Sequence, residues 1–141
     1  MTDISGTIRT RALASASVTN LVGTRMYSDT LPQTATMPAI TYFVVDTIPN
    51  ECLGGTIANL SQARIQIDCF DDTRAGANKL ADTVRLALEM NNHVTTDSQY
   101  ILAITLDSGE QHTFDRPLEG SDKRRYIASQ DFRVSYRQTT S

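Results

Sequence analysis

The chain contains no Trp, two Cys, two His and few aromatics, which make up 6% of its 141 residues. Each shortage removes a class of chemistry. The histidines, His93 and His112, have no second His, Cys or carboxylate at ligand spacing, so no metal site is expected. Cys52 and Cys69 form no metal spacing either. A Cys52–Cys69 disulfide stays compatible with the sequence, although a reducing cytoplasm disfavours it. No apolar run approaches the roughly 20 residues that span a bilayer, so no membrane partner is expected. The start, Met1-Thr2-Asp3-Ile4-Ser5, lacks the basic-then-apolar order of a signal peptide. Basic charge is also scarce. With 13 Lys and Arg against 16 Asp and Glu, net charge is −3, a poor balance for wrapping nucleic acid. Only Asp122-Lys123-Arg124-Arg125 concentrates it, and such runs are mostly solvated. No Ser sits in a Gly-x-Ser-x-Gly context, and Gly54-Gly55 belongs to no phosphate-cradling motif. No catalytic, metal or cofactor residues are expected, and no cofactor.

What is present is the patterning of a globular domain. Hydrophobic residues are 40% and charged residues 21%, enough for one sizeable core in a single domain over 1–141. The clearest signal runs from Ala63 to Leu88. Ala63, Ile65, Ile67 and Cys69 alternate with Arg64, Gln66 and Asp68, the period of a strand with one wet face. Ala77, Leu80, Ala81, Val84 and Leu88 then share one face of a helix, predicted over Thr73 to Met90 and stopped at Asn91-Asn92-His93. Between them, Asp71-Asp72-Thr73 suits the donors and positive dipole of a helix start, which outweighs any reading of the two carboxylates as an acid–base pair.

Elsewhere the spacing predicts a first helix over 3–16, with a short helical addition over Val18–Val22 stopped by Gly23. A short extended piece follows at Thr24–Tyr27, then a Pro-bearing connection over 31–38. A strand over Ala39–Asp46 is apolar on both faces, as expected of a central strand. In the strand over 100–106, Tyr100, Leu102, Ile104 and Leu106 alternate with Ile101, Ala103 and Thr105. The last strand sets Tyr126, Ala128, Phe132, Val134 and Tyr136 on one side, with Gln130 the one polar residue among them. Residues 47–60 and 108–122 are polar and hold Gly, Pro and Asp, and read as long protruding loops. The fold class expected is α+β: a single, mostly antiparallel sheet with two helices packed on one face.

Three segments then carry a resemblance. They are the N-terminal helix with Leu21-Val22-Gly23-Thr24-Arg25-Met26-Tyr27, Leu31-Pro32 and Met37-Pro38-Ala39-Ile40; the unit Ala63–Leu88; and the closing strand Tyr126–Tyr136. Val-Gly-x-Arg-x-Tyr and Ala-x-x-Leu-Ala-Asp-x-Val-Arg are its main motifs. Over nearly its whole length the chain resembles the tail completion, or tail terminator, proteins of long-tailed bacteriophages and prophages. The resemblance implies a non-enzymatic structural subunit, made in the bacterial host cytoplasm and placed at the head-proximal end of the virion tail. It implies a homo-hexameric ring that caps the tail tube and joins the head, with DNA passing through without sequence-specific binding. The implied partners are the tail tube protein and a head connector or completion protein. Loops on rigid scaffolds commonly make such contacts. The candidate assembly residues are Pro49, Asn50, Glu51, Gly54 and Gly55 in the first loop, and Arg116, Lys123, Arg124 and Arg125 in and beside the second. Two other readings stay open on the residues alone: a neighbouring neck protein (head-completion, connector or tail-tube subunit), and a small cytosolic enzyme or binding module.

Overall fold

The computed structural model describes residues 4–32, 35–50, 60–89, 94–96, 99–107, 110–115 and 125–138. In chain order these form α1 (Ile4–Leu13), α2 (Ala16–Val22), β1 (Met26–Ser28), β2 (Ala39–Asn50), β3 (Leu60–Asp71), α3 (Arg74–Leu88), β4 (Val94–Thr96), β5 (Gln99–Leu106), β6 (Gln111–Asp115) and β7 (Arg125–Gln138). The class is α+β, with one sheet in the order β1-β2-β3-β7-β5-β4. Its pairings are antiparallel except for the parallel pair β1–β2. β6 and β5 pair with successive stretches of β7, Arg125–Ser129 and Phe132–Gln138.

The core follows the two periods read above. Ala63, Ile65, Ile67 and Cys69 of β3 and Ala128, Gln130, Phe132 and Val134 of β7 are at most 1% exposed. They face Ala77, Leu80, Ala81, Val84 and Leu88 of α3, which are buried in the same cluster. Ile4, Ile8, Ala12, Val18 and Val22 complete it from α1 and α2. On the opposite face of the sheet, Arg64, Gln66, Asp68, Asp131, Arg133 and Ser135 keep contact with solvent.

Several expectations are corrected. Three helices form among the described residues where two were expected, because Ser15 turns extended (φ −83°, ψ 122°) and separates α2 from α1. Gly23 does stop α2, at φ 60°, where its N–H donates to Thr19 O at 2.8 Å. β2 is interior to the sheet and covered on both faces in its first half, where Ala39, Ile40, Thr41 and Tyr42 are all buried, but not beyond it. Its partner β1 spans only Ile40–Tyr42, and Val44 and Val45 are 36% and 38% exposed. β2 also runs on to Asn50, through Pro49. Along that stretch it pairs on one side only, with β3, so the missing Pro N–H costs no ladder bond on the open side. The loop expected over 47–60 is thus a hairpin whose arms reach Asn50 and Leu60; residues 51–59 lie outside those described.

Two further corrections concern the C-terminal half. The strict alternation expected over 100–106 fails at a bulge between Ile101 and Ala103. The extra residue brings Ile101 and Ile104 onto one face, both fully buried. The loop expected over 108–122 contains β6, whose polar residues pair with β7; tertiary pairing overrides weak strand propensity there. β4 also adds to the expected strands, pairing with β5. The helix stop expected at Asn91-Asn92-His93 lies outside the described residues, and α3 is described to Leu88 with Glu89 as its cap residue.

Candidate functional site

The motifs of the sequence turn out to be joints of the scaffold. In Val-Gly-x-Arg-x-Tyr, the Arg25 guanidinium donates through Nη2 to Leu21 O at 3.2 Å and through Nε to Pro38 O at 3.0 Å. One cation thereby satisfies a carbonyl at the negative end of α2 and ties that end to the start of β2. Arg9 of α1 donates to Met26 O at 3.1 Å and Thr24 O at 3.3 Å, fixing the same segment from the other side. In Ala-x-x-Leu-Ala-Asp-x-Val-Arg, Ala77, Leu80, Ala81 and Val84 point into the core and Asp82 points out.

The turn into α3 is built closely. Thr73 is its N-cap, extended (φ −128°, ψ 151°), with Oγ1 accepting from Gly76 N at 3.0 Å. Asp71 Oδ1 accepts from Asp72 N at 2.7 Å. A Cβ on Gly76 would fall 1.8 Å from Asp71 Oδ2, so a glycine lets this carboxylate lie against the first turn. Arg74, the first residue of α3, donates to Ile127 O at 2.9 Å and to Thr113 O, and its guanidinium sits 5.1 Å from the Tyr126 ring centre. His112 Nδ1 is 3.3 Å from Arg74 Nη1. Arg74, absent from the candidates read in the sequence, thus anchors β6 and β7 to the helix start. Only the long-range pairing of those strands makes that visible.

Of the expected assembly residues, Pro49, Asn50 and Arg125 are described, and they lie at opposite ends of the sheet. Pro49 and Asn50 lie at the end of β2, opposite Ser61 and Leu60. Leu60 in turn pairs with Arg137, while Arg125 begins β7 opposite Asp115. Twelve residues of strand separate positions 125 and 137, roughly 40 Å at the usual rise. Arg125 is described: its guanidinium lies 5.8 Å from the ring centre of Phe70, which is 7% exposed. Glu51, Gly54, Gly55, Arg116, Lys123 and Arg124 lie outside the described residues.

The solvent-facing side of the sheet carries a charged row that the sequence reading passed over. Arg64 of β3 and Arg133 of β7 are direct cross-strand partners. Arg133 bonds Asp107 at 3.0 Å, while the Arg64 Nε is buried without a hydrogen-bond partner. Asp46, which pairs in register with Arg64 from β2, makes no ion pair with it. A cleft of about 40 Å³ opens between Asp46, Gln62, Ala63, Arg64 and Arg133.

Reactive chemistry is sparse among the described residues. No group of three or more His, Cys, Asp or Glu is placed to hold a metal, and no helix is long and apolar enough to cross a membrane. Cys69 is a free thiol, fully buried; that burial, and then the Asp68 and Glu110 carboxylates, push its ionisation far above the ordinary thiol range. Cys52 lies outside the described residues.

This architecture is similar to that of a solved chain from the virion of a native gene transfer agent (GTA) particle. The TM-score is 0.70 at 17% identity, covering 95% of this chain and 94% of that one. A second solved structure matches at TM-score 0.51 and 9% identity, covering 96% and 94% of the two chains. Comparison with curated protein sequences finds no match. Residues 6–137 match the family described as tail completion protein gp17, a span that takes in both motifs, the hairpin, α2, α3 and all but the first two residues of α1. The chain belongs to the tail completion protein gp17 family, structural proteins of the bacteriophage virion tail.

Proposed function

We propose that this protein caps the completed tail tube and forms the tail side of the head–tail joint, as one subunit of a hexameric ring through which DNA passes. The observation that carries the reading is the family match over 6–137. The similarity in fold to a virion chain, over 95% of this chain, supports it. A net charge of −3 suits a channel wall that must let DNA slide without gripping it. In this reading the protein acts as a structural subunit and not as an enzyme, and its two motifs serve the scaffold.

Two ends of the sheet are assigned to contacts with other proteins. The β2–β3 hairpin carries Pro49, Asn50, Glu51, Gly54 and Gly55 towards a neighbouring subunit or the tube. Arg125, at the other end, meets acidic groups on a partner together with Arg116, Lys123 and Arg124. Because the two ends are roughly 40 Å apart, they serve different contacts.

Shortening 51–59 to a tight turn tests the first assignment. Loop length costs little free energy, so the fold should survive. Tails should then be over-long or unterminated and infectious particles few. Normal tail length and titre from the shortened variant would refute the hairpin as an assembly element. Reversing the charges of Lys123, Arg124 and Arg125 should weaken assembly in a salt-sensitive way.

A further inference from the structure

The strands share the core unequally. β1, β2, β3, β5 and β7 each bury apolar side chains in it, whereas β6 buries none. Gln111, His112, Thr113 and Phe114 are all exposed, Phe114 by 55%. Among the described residues β6 pairs with β7 alone, from Gln111↔Ser129 to Asp115↔Arg125. A strand held by backbone pairing and little burial opens at lower free energy than the sheet around it.

The inner end of this strand is poorly satisfied. Glu110, which precedes Gln111, holds a buried carboxylate oxygen, Oε1, without a hydrogen-bond partner. Gln130, which follows Ser129 on the facing strand, lacks partners for both amide atoms. Lifting β6 returns the Glu110 oxygen to water, which favours opening. One side chain opposes it. Arg74 of α3 donates to Thr113 O on β6 and to Ile127 O on β7, the latter at 2.9 Å, and lies 5.1 Å from the Tyr126 ring centre. Tyr126 in turn meets Phe114, with ring centres 6.4 Å apart. Thr113 and Ile127 are direct ladder partners, so a single guanidinium fastens both strands at one point.

We propose that β6 is a strap that opens and closes on the edge of β7 as one unit, with Arg74 as its latch, while β3, β5 and β7 stay paired. The structure holds the closed form. It sets Phe114 against Tyr126 and Asp115 opposite Arg125, at the end of the sheet assigned above to a partner. A partner that binds this end draws on the closed population, so the latch tunes assembly. The assembly role rests on that assignment; the opening itself does not.

Hydrogen exchange on the purified full chain tests the opening. The amides bonded between β6 and β7 should exchange at least about tenfold faster than those bonded between β3 and β7. Arg74→Ala should widen that gap at least about tenfold, and Glu110→Ala should narrow it. Equal rates at the two seams, or an Arg74→Ala that speeds both alike, would overturn the strap. Capping of tails tests the role. In particles that carry only the variant, Arg74→Ala should lower the capped fraction at least about tenfold. In a Cys52→Ser background, Gln111→Cys with Ser129→Cys joins direct ladder partners. When oxidised, this pair should return Arg74→Ala to within about threefold of the parent. Normal capping by Arg74→Ala, or a locked variant that stays defective, would overturn the role. Tails from which the parent chain is absent would overturn the role together with the proposed function, and the exchange rates would still decide the strap.

Discussion

Gln130→Met should make the protein more stable. Gln130 is 1% exposed on the helix-covered face, opposite Ile67 of β3. Neither its amide nitrogen nor its amide oxygen has a hydrogen-bond partner. It sits where the edge of β7 passes from β6, which ends its pairing at Ser129, to β5, which begins at Phe132. A buried unsatisfied polar group costs about 1–3 kcal/mol. Met has a similar length, fills irregular space and leaves no donor or acceptor unmet. The expected gain is about 1–3 kcal/mol, or roughly 3–9 °C in Tm for a domain of this size. Thermal melts and urea titrations read it, and the urea midpoint should rise with an unchanged slope. Gln130→Ala removes the same amide but opens a cavity, so it should gain less. A Tm lowered by several degrees in Gln130→Met would show that the amide is satisfied in the folded protein and that the reasoning is wrong.

Three other perturbations probe the scaffold. Val84→Asp puts a carboxyl at a fully buried position between α3 and the sheet and should cost about 3–5 kcal/mol; unchanged melting would mean the helix face is misassigned. Arg25→Ala removes donors to Leu21 O and Pro38 O and should cost about 2–3 kcal/mol, with hydrogen exchange accelerated in α2 and β1; Arg25→Lys, lacking the fork, should restore little. The Cys69 thiol should resist alkylation in the native protein and react on unfolding. Because its folded ionisation is raised, the contribution is fully present below the ordinary thiol range and is lost above about pH 8.5, where only the unfolded chain gives up the proton. A urea midpoint unchanged between pH 8 and 10 in the native chain, relative to Cys69→Ala, would contradict this.

The elements that were legible in the sequence are those whose pattern is local. The alternation Ala63–Cys69 and the stripe Ala77–Leu88 give β3 and α3 directly, because burial on one face dictates the spacing. Thr73 as cap and Gly23 as stop follow from the conformations those residues favour. What escaped depends on distant pairing. Gln111–Asp115 is a polar segment that becomes a strand only because β7 lies beside it. Bulges at Val45 and Leu102 shift a register that a period-two reading assumes constant. The candidate site was half visible. Composition marked 47–60 as an unusual segment, but not that its arms extend the sheet to Asn50 and Leu60. Arg64 and Arg133 looked like ordinary wet-face residues until the register set them opposite one another.

The central claim, that this chain terminates the tail, is tested most directly by its place on the particle. A small tag fused to the chain and gold-labelled on purified particles should give one cluster per tail, at the end joined to the head. Label spread along the tube, label at the distal tip, or particles without the chain would contradict the account.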